Sequence, residues 1–218
     1  MVLPALDPPS ARSLWVPTPA RLVRLLAGLW LFGTGEGLLV HSDLGNSPWT
    51  VLAEGVSVHS PLSIGAATIL ISFVVLLVWI PLRQRPGLGT IANAIIVGVG
   101  VNATLAYMPE TSGVVPWLEI VAGIALVGLG SGLYINAALG PGPRDGLMTG
   151  IHGRTGWPIA PVRAGIELSA LTAGVVLGGT AGVGTLAFAL GVGPAVALGL
   201  RLLPAASRPP SPAPAGAA

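Results

Sequence analysis

Six apolar stretches of roughly 20 residues each constrain this 218-residue chain more than any other feature. A helix needs about 20 residues to cross the roughly 30 Å of hydrocarbon in a bilayer. Only 8% of the residues are charged, against about 25% in a soluble domain, so an ordinary soluble fold is excluded. The sequence therefore predicts an all-α membrane protein with six transmembrane helices, at roughly 21–41, 63–82, 88–108, 115–138, 158–178 and 183–203.

The segments outside the membrane domain are rich in proline and are predicted to be disordered. Residues 1–20 contain five prolines, and residues 204–218 are mostly proline, alanine and serine. A cleaved signal peptide is a weaker interpretation of the N-terminus, because the apolar run at 22–40 is longer than a signal-peptide core and contains Glu36. We therefore expect two disordered cytoplasmic tails, 1–20 and 204–218, around a membrane domain at 21–203.

The arginines predict the orientation of the chain in the membrane. With six crossings, all ten fall on one side: Arg12, Arg21, Arg24, Arg83, Arg85, Arg144, Arg154, Arg163, Arg201 and Arg208. The other side receives Asp43, Glu54 and Glu110. Because cytoplasmic loops carry the excess of basic residues, both termini are predicted to be cytoplasmic. The absence of lysine indicates a GC-rich bacterial genome, so the expected location is a bacterial inner membrane.

A repeat with an offset of 95 residues runs through the chain. LGNSPWTVLAEG at 44–55 lies over LGPGPRDGLMTG at 139–150, and AGLWLFGTGEGLL at 27–39 lies over AGIALVGLGSGLY at 122–134. Each copy contains three predicted spans, so the second copy has to enter the membrane upside down. The sequence predicts two inverted repeats, 21–108 and 115–203, an arrangement common in secondary transporters.

A short additional helix is predicted after the first span of each copy. Pro48 and Pro143 suit the first turn of a helix, and the two segments end at Gly55 and Gly150. Both pieces are too short to cross a bilayer. They are either re-entrant, with N-terminal N–H groups available to an anion, or interfacial, with Trp49 as an anchor.

Three stretches resemble the YczE-like branch of the YitT/YczE group of bacterial integral membrane proteins: DLGNSPWTVL, LSIGAATILISFVVLLVWIPLRQRPGLGT and LGPGPRDGLMTGIHGRTGW. The resemblance covers residues 25–200, and GPRDGLMTG is its densest motif. It implies a polytopic inner-membrane protein without an assigned activity. The first motif of that family usually reads like PWDVL, whereas Thr50 stands here at the aspartate position, opposite Asp145 in the second copy. This difference argues against a symmetric pair of acids.

Seven residues are candidates for substrate binding: Glu167, Arg163, Glu36, Asp145, Arg144, Pro48 and Pro143. Arg163 and Glu167 lie four positions apart in the fifth span, so they share a face and can pair. Ionisable groups at membrane depth usually face the interior of the bundle. Glu167 is therefore predicted to have a functional role, with a structural ion pair to Arg163 as the alternative.

The remaining charged candidates belong to both copies of the repeat. Glu36 lies near the outer end of the first span, and its repeat partner is Ser131. Arg144 and Asp145 follow the proline of the second motif. An aspartate in the first turn of a helix suits the helix dipole, so capping is the alternative to contact with a substrate or a proton.

Other chemistries find little support in the sequence. The chain has no cysteine, which excludes disulfides, thiolate metal sites and cysteine nucleophiles. His41, Asp43 and His59 are too scattered in loops to predict a metal site. No catalytic triad or phosphate-binding loop is present, so neither an enzyme nor a cofactor is predicted. The GxxxG spacings in GTGEG and GLGSG are predicted to allow close helix packing.

These observations favour a small-solute transporter or permease of unknown substrate, with a proton coupled through Glu167. An accessory or scaffold membrane protein stays open as an alternative, and a membrane-embedded lipid-modifying enzyme is a weaker one. Expected partners are the lipid bilayer, an unknown small solute, and either further copies of this chain or a partner membrane protein. The isoelectric point near 9.9 follows from the membrane orientation and does not indicate nucleic-acid binding.

Overall fold

The computed structural model describes residues 14–203, and its regular structure over that range is helical. The helices are α1 (Pro19–His41), α2 (Pro48–Val58), α3 (Ile64–Leu82), α4 (Leu88–Tyr107), α5 (Val115–Asn136), α6 (Pro143–Thr155), α7 (Ile159–Val176) and α8 (Val183–Leu202). Six of them, all except α2 and α6, are long and apolar enough to cross a membrane. The predicted all-α fold with six spans is confirmed. Most of the predicted tails, at 1–13 and 204–218, lies outside the described residues.

Hydrogen bonds fix the start of α1 and connect it to the end of α5. The Thr18 hydroxyl accepts a hydrogen bond from the Arg21 N–H, and Pro19 occupies the first turn. Helix α1 therefore begins two residues before the predicted span, inside the segment assigned to a tail. The Arg21 guanidinium also donates to the carbonyl oxygens of Ala137 (2.8 Å) and Ala138 (2.6 Å). These contacts satisfy carbonyl groups that the end of α5 leaves unpaired.

Small residues bring the first and third long helices of each half together. The contacts use the same four positions in both halves, offset by 95 residues: Gly33, Gly37, Gly100 and Thr104 in the first half, and Gly128, Gly132, Ala195 and Gly199 in the second. A Cβ atom at either glycine of each GxxxG pair would overlap the facing helix. The close packing predicted from the GxxxG spacings is confirmed.

Helices α1 and α5 pack against each other and run in opposite directions. Gly28 of α1 contacts Gly130 of α5, and Gly35 of α1 contacts Gly123 of α5. Residue numbers therefore rise along one helix as they fall along the other. These two helices occupy equivalent places in the two copies of the repeat.

The turns after α1 and α5 share one backbone conformation. Asp43 and Ala138 have φ angles of 55° and 52°, and Gly45 and Gly140 have φ angles of 114° and 116°. Glycine adopts this left-handed region without steric cost. Each turn accepts one backbone hydrogen bond of 2.8 Å from the start of a helix in the other half, from Gly184 to Leu44 and from Gly89 to Leu139. These turns fold the chain back into the bundle, where α2 and α6 begin.

Candidate functional site

A cavity of about 180 Å³ lies inside the bundle, and all eight helices contribute to its wall. Ligand pockets for drug-sized molecules are larger, at roughly 300–1,000 Å³, so this cavity suits a small solute. Its charged lining consists of Glu36, Arg144, Asp145, Arg163 and Glu167. Its apolar lining includes Phe32, Val127, Phe188, Val192 and Val196.

Most of the cavity wall consists of residue pairs related by the repeat. Eight pairs separated by 95 positions line it: Phe32 and Val127, Glu36 and Ser131, Ser47 and Gly142, Trp49 and Arg144, Thr68 and Arg163, Ser72 and Glu167, Asn93 and Phe188, and Val97 and Val192. Both copies of the repeat therefore contribute the same positions to one cavity, although they contribute different side chains.

The structure brings together six of the seven predicted binding residues around this cavity: Glu36, Pro48, Arg144, Asp145, Arg163 and Glu167. The seventh, Pro143, is buried at the first position of α6 but does not line the cavity. Its carbonyl oxygen accepts a hydrogen bond of 3.0 Å from Nε1 of Trp79. The role of all seven residues in binding stays a prediction.

The two short helices begin inside the bundle. Pro48 and Trp49 at the start of α2 are buried, and so is Pro143 at the start of α6. The guanidinium carbon of Arg144 lies 5.0 Å from the centre of a Trp49 ring, so the two helix starts meet. Val58 at the other end of α2 is 61% exposed. A helix lying at the membrane surface would expose one side along its length, so this geometry favours the re-entrant interpretation.

Glu36 is the most deeply buried charged residue of the cavity, with 1% of its surface exposed. The hydroxyl groups of Ser47 and Thr50 both donate to its Oε2 atom at 2.6 Å. Its Oε1 atom is buried and has no hydrogen-bond partner within the described residues. A buried carboxylate oxygen without a donor is costly, so the site is suited to a proton or to a positively charged group.

The acids of the two halves occupy exchanged positions. The first half places an acid at Glu36 and a hydroxyl at Thr50, whereas the second half places a hydroxyl at Ser131 and an acid at Asp145. Asp145 accepts a hydrogen bond of 2.6 Å from the Tyr134 hydroxyl. Each half therefore supplies one acid at this pair of positions, and a hydroxyl group of Thr50 stands beside Glu36.

The two arginines of the cavity differ in their partners. Nε of Arg163 donates to Oε1 of Glu167 at 3.0 Å, and their side chains are 52% and 32% exposed. Arg144 stacks on the Trp49 ring but makes no hydrogen bond or ion pair to any residue in 14–203. Its five N–H donors are therefore available inside the cavity.

Two acids outside the cavity have partners that the sequence analysis did not identify. Glu119 is 5% exposed, and both of its carboxylate oxygens lie 3.1 Å from Nδ1 of His41. Glu54 accepts hydrogen bonds from the backbone N–H of Thr180 at 2.7 Å and from its hydroxyl at 2.9 Å. Glu119 lies within a predicted span, and an acid at that depth was a signal that it has a partner inside the bundle.

The residues considered for a metal site do not meet. His41 contacts Glu119, whereas Asp43 and His59 are exposed. Across residues 14–203, no three histidine, cysteine, aspartate or glutamate side chains are grouped to hold a metal ion.

Comparison with known proteins identifies relatives over most of the chain. The model of a family described as "Family of unknown function (DUF6198)" matches residues 19–201. An uncharacterized protein of Haemophilus influenzae is 40% identical over 195 residues, which are 89% of this chain and 89% of that protein. The uncharacterized membrane protein YczE of Bacillus subtilis is 34% identical over 167 residues, which are 75% of this chain and 78% of YczE. The uncharacterized protein YyaS of the same organism is 28% identical over 164 residues. No solved structure matches the chain.

Proposed function

This chain belongs to the DUF6198 family and is a membrane protein similar to YczE, and we propose that it transports a small polar or anionic solute through its central cavity. The observation that carries the proposal is the convergence of five charged side chains on one internal cavity. Ionisable groups within membrane-spanning segments are costly and typically mark pathways for substrates or ions. A cavity of about 180 Å³ limits the solute to a small molecule.

The two halves of the chain are proposed to be inverted copies that move against each other. The opposite directions of α1 and α5 and the equivalent glycine contacts support this arrangement. The cavity lies between the halves and receives paired positions from both. Transporters built from inverted repeats commonly bind their substrate at such an interface, beside the starts of interrupted helices, and open it to one side at a time.

Proton coupling is proposed to occur at an acid of the cavity wall, with Glu167 as the candidate. Glu167 lines the cavity and its side chain is 32% exposed, whereas Glu36 is 1% exposed. Its pairing with Arg163 supplies a positive charge that holds the carboxylate in place. A scaffold role requires no charged cavity, and a lipid-modifying enzyme requires a nucleophile or a metal site.

Cysteine accessibility tests transport without knowledge of the substrate, because the native chain has no cysteine. Ser131→Cys places a thiol on the cavity wall. A small, charged, membrane-impermeant thiol reagent is expected to modify it both in intact cells and in inside-out vesicles. Ala94→Cys is the control, since Ala94 is fully buried away from the cavity. The control cysteine should stay unmodified from both sides. If the cysteine at position 131 is also unmodified from both sides, the result would contradict transport and favour the scaffold alternative.

The same approach tests the proposed orientation, with both termini in the cytoplasm of a bacterial cell. Arg85 lies between α3 and α4, and Glu110 lies between α4 and α5. The positive-inside rule places the first in the cytoplasm and the second outside. Glu110→Cys should react in intact cells and Arg85→Cys only in inside-out vesicles, and the opposite pattern would invert the topology.

A further inference from the structure

We propose that the central cavity binds a small zwitterion with an apolar side group, such as an aliphatic amino acid. Arg144 holds the carboxylate of this ligand, and Glu36 holds its ammonium group. The inference rests on the proposed transport function and names the class of solute that is carried. It follows from which polar atoms of the cavity have partners within the protein and which do not.

Arg144 supplies the site for the carboxylate. Its guanidinium lies over the Trp49 ring and has no hydrogen-bonded partner within the described residues. A planar guanidinium can donate two parallel hydrogen bonds to one carboxylate group. Arg144 also stands in the first turn of α6, where backbone N–H groups without intrahelical partners add positive partial charge.

Glu36 supplies the site for the ammonium group. Two hydroxyl groups satisfy its Oε2 atom, whereas its Oε1 atom is buried without a donor. The hydroxyl of Ser47 and that of Thr50 also fix the orientation of the carboxylate. An ammonium group carries three N–H donors and a full positive charge, so it satisfies this oxygen and compensates the buried charge.

The other charged groups around the cavity already have partners. Asp145 accepts from the Tyr134 hydroxyl, and Glu167 pairs with Arg163. Arg144 and Glu36 line the same cavity but form no ion pair with each other. Among the charged groups of the cavity within residues 14–203, Arg144 is therefore the one without a hydrogen-bonded partner, and Oε1 of Glu36 is the buried carboxylate oxygen without a donor.

A ligand with a single charge would leave one of these two groups without a partner. A bare carboxylate would pair with Arg144 and leave Oε1 of Glu36 without a donor. A bare amine would pair with Glu36 and leave Arg144 unpaired. A zwitterion satisfies both groups and adds no net charge to the cavity.

The rest of the wall suits a short apolar side group. Five apolar side chains line it. Phe32 and Val127 occupy equivalent positions in the two copies of the repeat, and Phe188, Val192 and Val196 belong to α8. The cavity volume of about 180 Å³ is below the roughly 300–1,000 Å³ of pockets for drug-sized ligands. It therefore suits a ligand of the size of a small amino acid.

Binding is measured by calorimetry on the purified full chain in detergent, with L-alanine and L-valine as the zwitterions. Propionate and isobutyrate lack the ammonium group, and ethylamine and isobutylamine lack the carboxylate. We expect at least one zwitterion to bind, and its two matched analogues to bind about 10- to 150-fold more weakly, because each loses charge-assisted hydrogen bonds. Binding of the carboxylates or the amines as tightly as the zwitterions would overturn the proposal, and so would absence of binding by both zwitterions.

Variants assign the two ends of the ligand. Arg144→Gln and Glu36→Gln should each weaken zwitterion binding by at least about tenfold. Glu36→Gln should in addition improve binding of the carboxylates relative to the zwitterion, because it removes a negative charge from the cavity. Arg154→Gln and Glu110→Gln are matched controls outside the cavity and should bind as the wild type does. Unchanged zwitterion binding in Arg144→Gln would overturn the assignment, and should that variant fail to fold, the analogue comparison on the wild type still decides.

The outcomes separate this inference from the proposed transport function. A Ser131→Cys thiol that reacts from both sides, in a protein that binds no zwitterion, would leave transport standing and refute the ligand class. A zwitterion that binds to a protein whose cavity is closed from both sides would support the site and refute transport.

Discussion

Replacing Thr50 by aspartate should destabilise the protein, because it places a second carboxylate beside Glu36. The Thr50 hydroxyl lies 2.6 Å from Oε2 of Glu36 and donates a hydrogen bond to it. An aspartate at this position would exchange that donor for a charge of the same sign as Glu36. Two like charges about 4 Å apart repel by about 4 kcal/mol at an effective dielectric constant of about 20. We therefore expect Thr50→Asp to lower the free energy of unfolding by about 4 kcal/mol.

The expected loss is large enough to measure by thermal unfolding. For a chain of this length, about 4 kcal/mol corresponds to a fall in the unfolding temperature of roughly 10 °C. Tryptophan fluorescence of the purified protein in detergent reports the transition. Thr50→Asn is the matched control, because its amide has nearly the same shape as aspartate, carries no charge and can still donate to Glu36.

A second substitution tests the cause of the effect. Glu36→Ser combined with Thr50→Asp reproduces the arrangement of Ser131 and Asp145 in the second half. The double variant should recover most of the lost stability, with a coupling energy of about 4 kcal/mol in a double-mutant cycle. Equal stability of Thr50→Asp and Thr50→Asn at about pH 8 would refute the reasoning.

Two further predictions concern α6 and α7. Glu167→Gln should impair proton-driven uptake into proteoliposomes more than Arg163→Gln does, measured with equal amounts of folded protein in the membrane, because Glu167 is the acid of this pair on the cavity wall. Equal uptake by Glu167→Gln and the wild type would remove Glu167 from the mechanism. Gly146→Ala should cost about 1–3 kcal/mol of stability, because its Cβ would overlap the ring of Trp79. Gly153→Ala in the same helix meets nothing within 4 Å, so an equal loss there would show that the overlap is not the cause.

The sequence predicted the long helices well because their signal is local. Each span is a continuous apolar run, and its length follows from the thickness of a bilayer. The predicted span 183–203 and the observed helix Val183–Leu202 differ by one residue. The predicted start of α1, at residue 21, lies after the observed start at Pro19, because the cap formed by Thr18 and Pro19 extends the helix beyond the apolar run. Boundaries set by polar caps are thus less evident in a hydropathy pattern than those set by burial.

The details of the cavity depend on contacts between distant parts of the chain, which a single sequence does not reveal. Proline and glycine predicted short helices after the first span of each copy, but the same pattern fits a surface helix and a re-entrant one. The stacking of Arg144 on Trp49 favours the re-entrant arrangement, and it joins residues 95 positions apart. The partner of Glu119 is 78 positions away, at His41. Sequence reasoning could identify such acids as unusual but could not identify their partners.

The repeat explains both why the cavity exists and why it is not symmetric. Paired positions from the two halves form the wall, but the charged members come mainly from the second half. Arg163 and Glu167 face a wall that carries Thr68 and Ser72 at the equivalent positions. A symmetric cavity would bind a ligand equally well in two opposite orientations, whereas this one offers a cation on α6 and an unpaired carboxylate oxygen on α1. In the proposed function, a ligand with unlike ends would be held in one orientation and would connect the two halves. Motion of one half against the other would then have to break one of its two contacts before release.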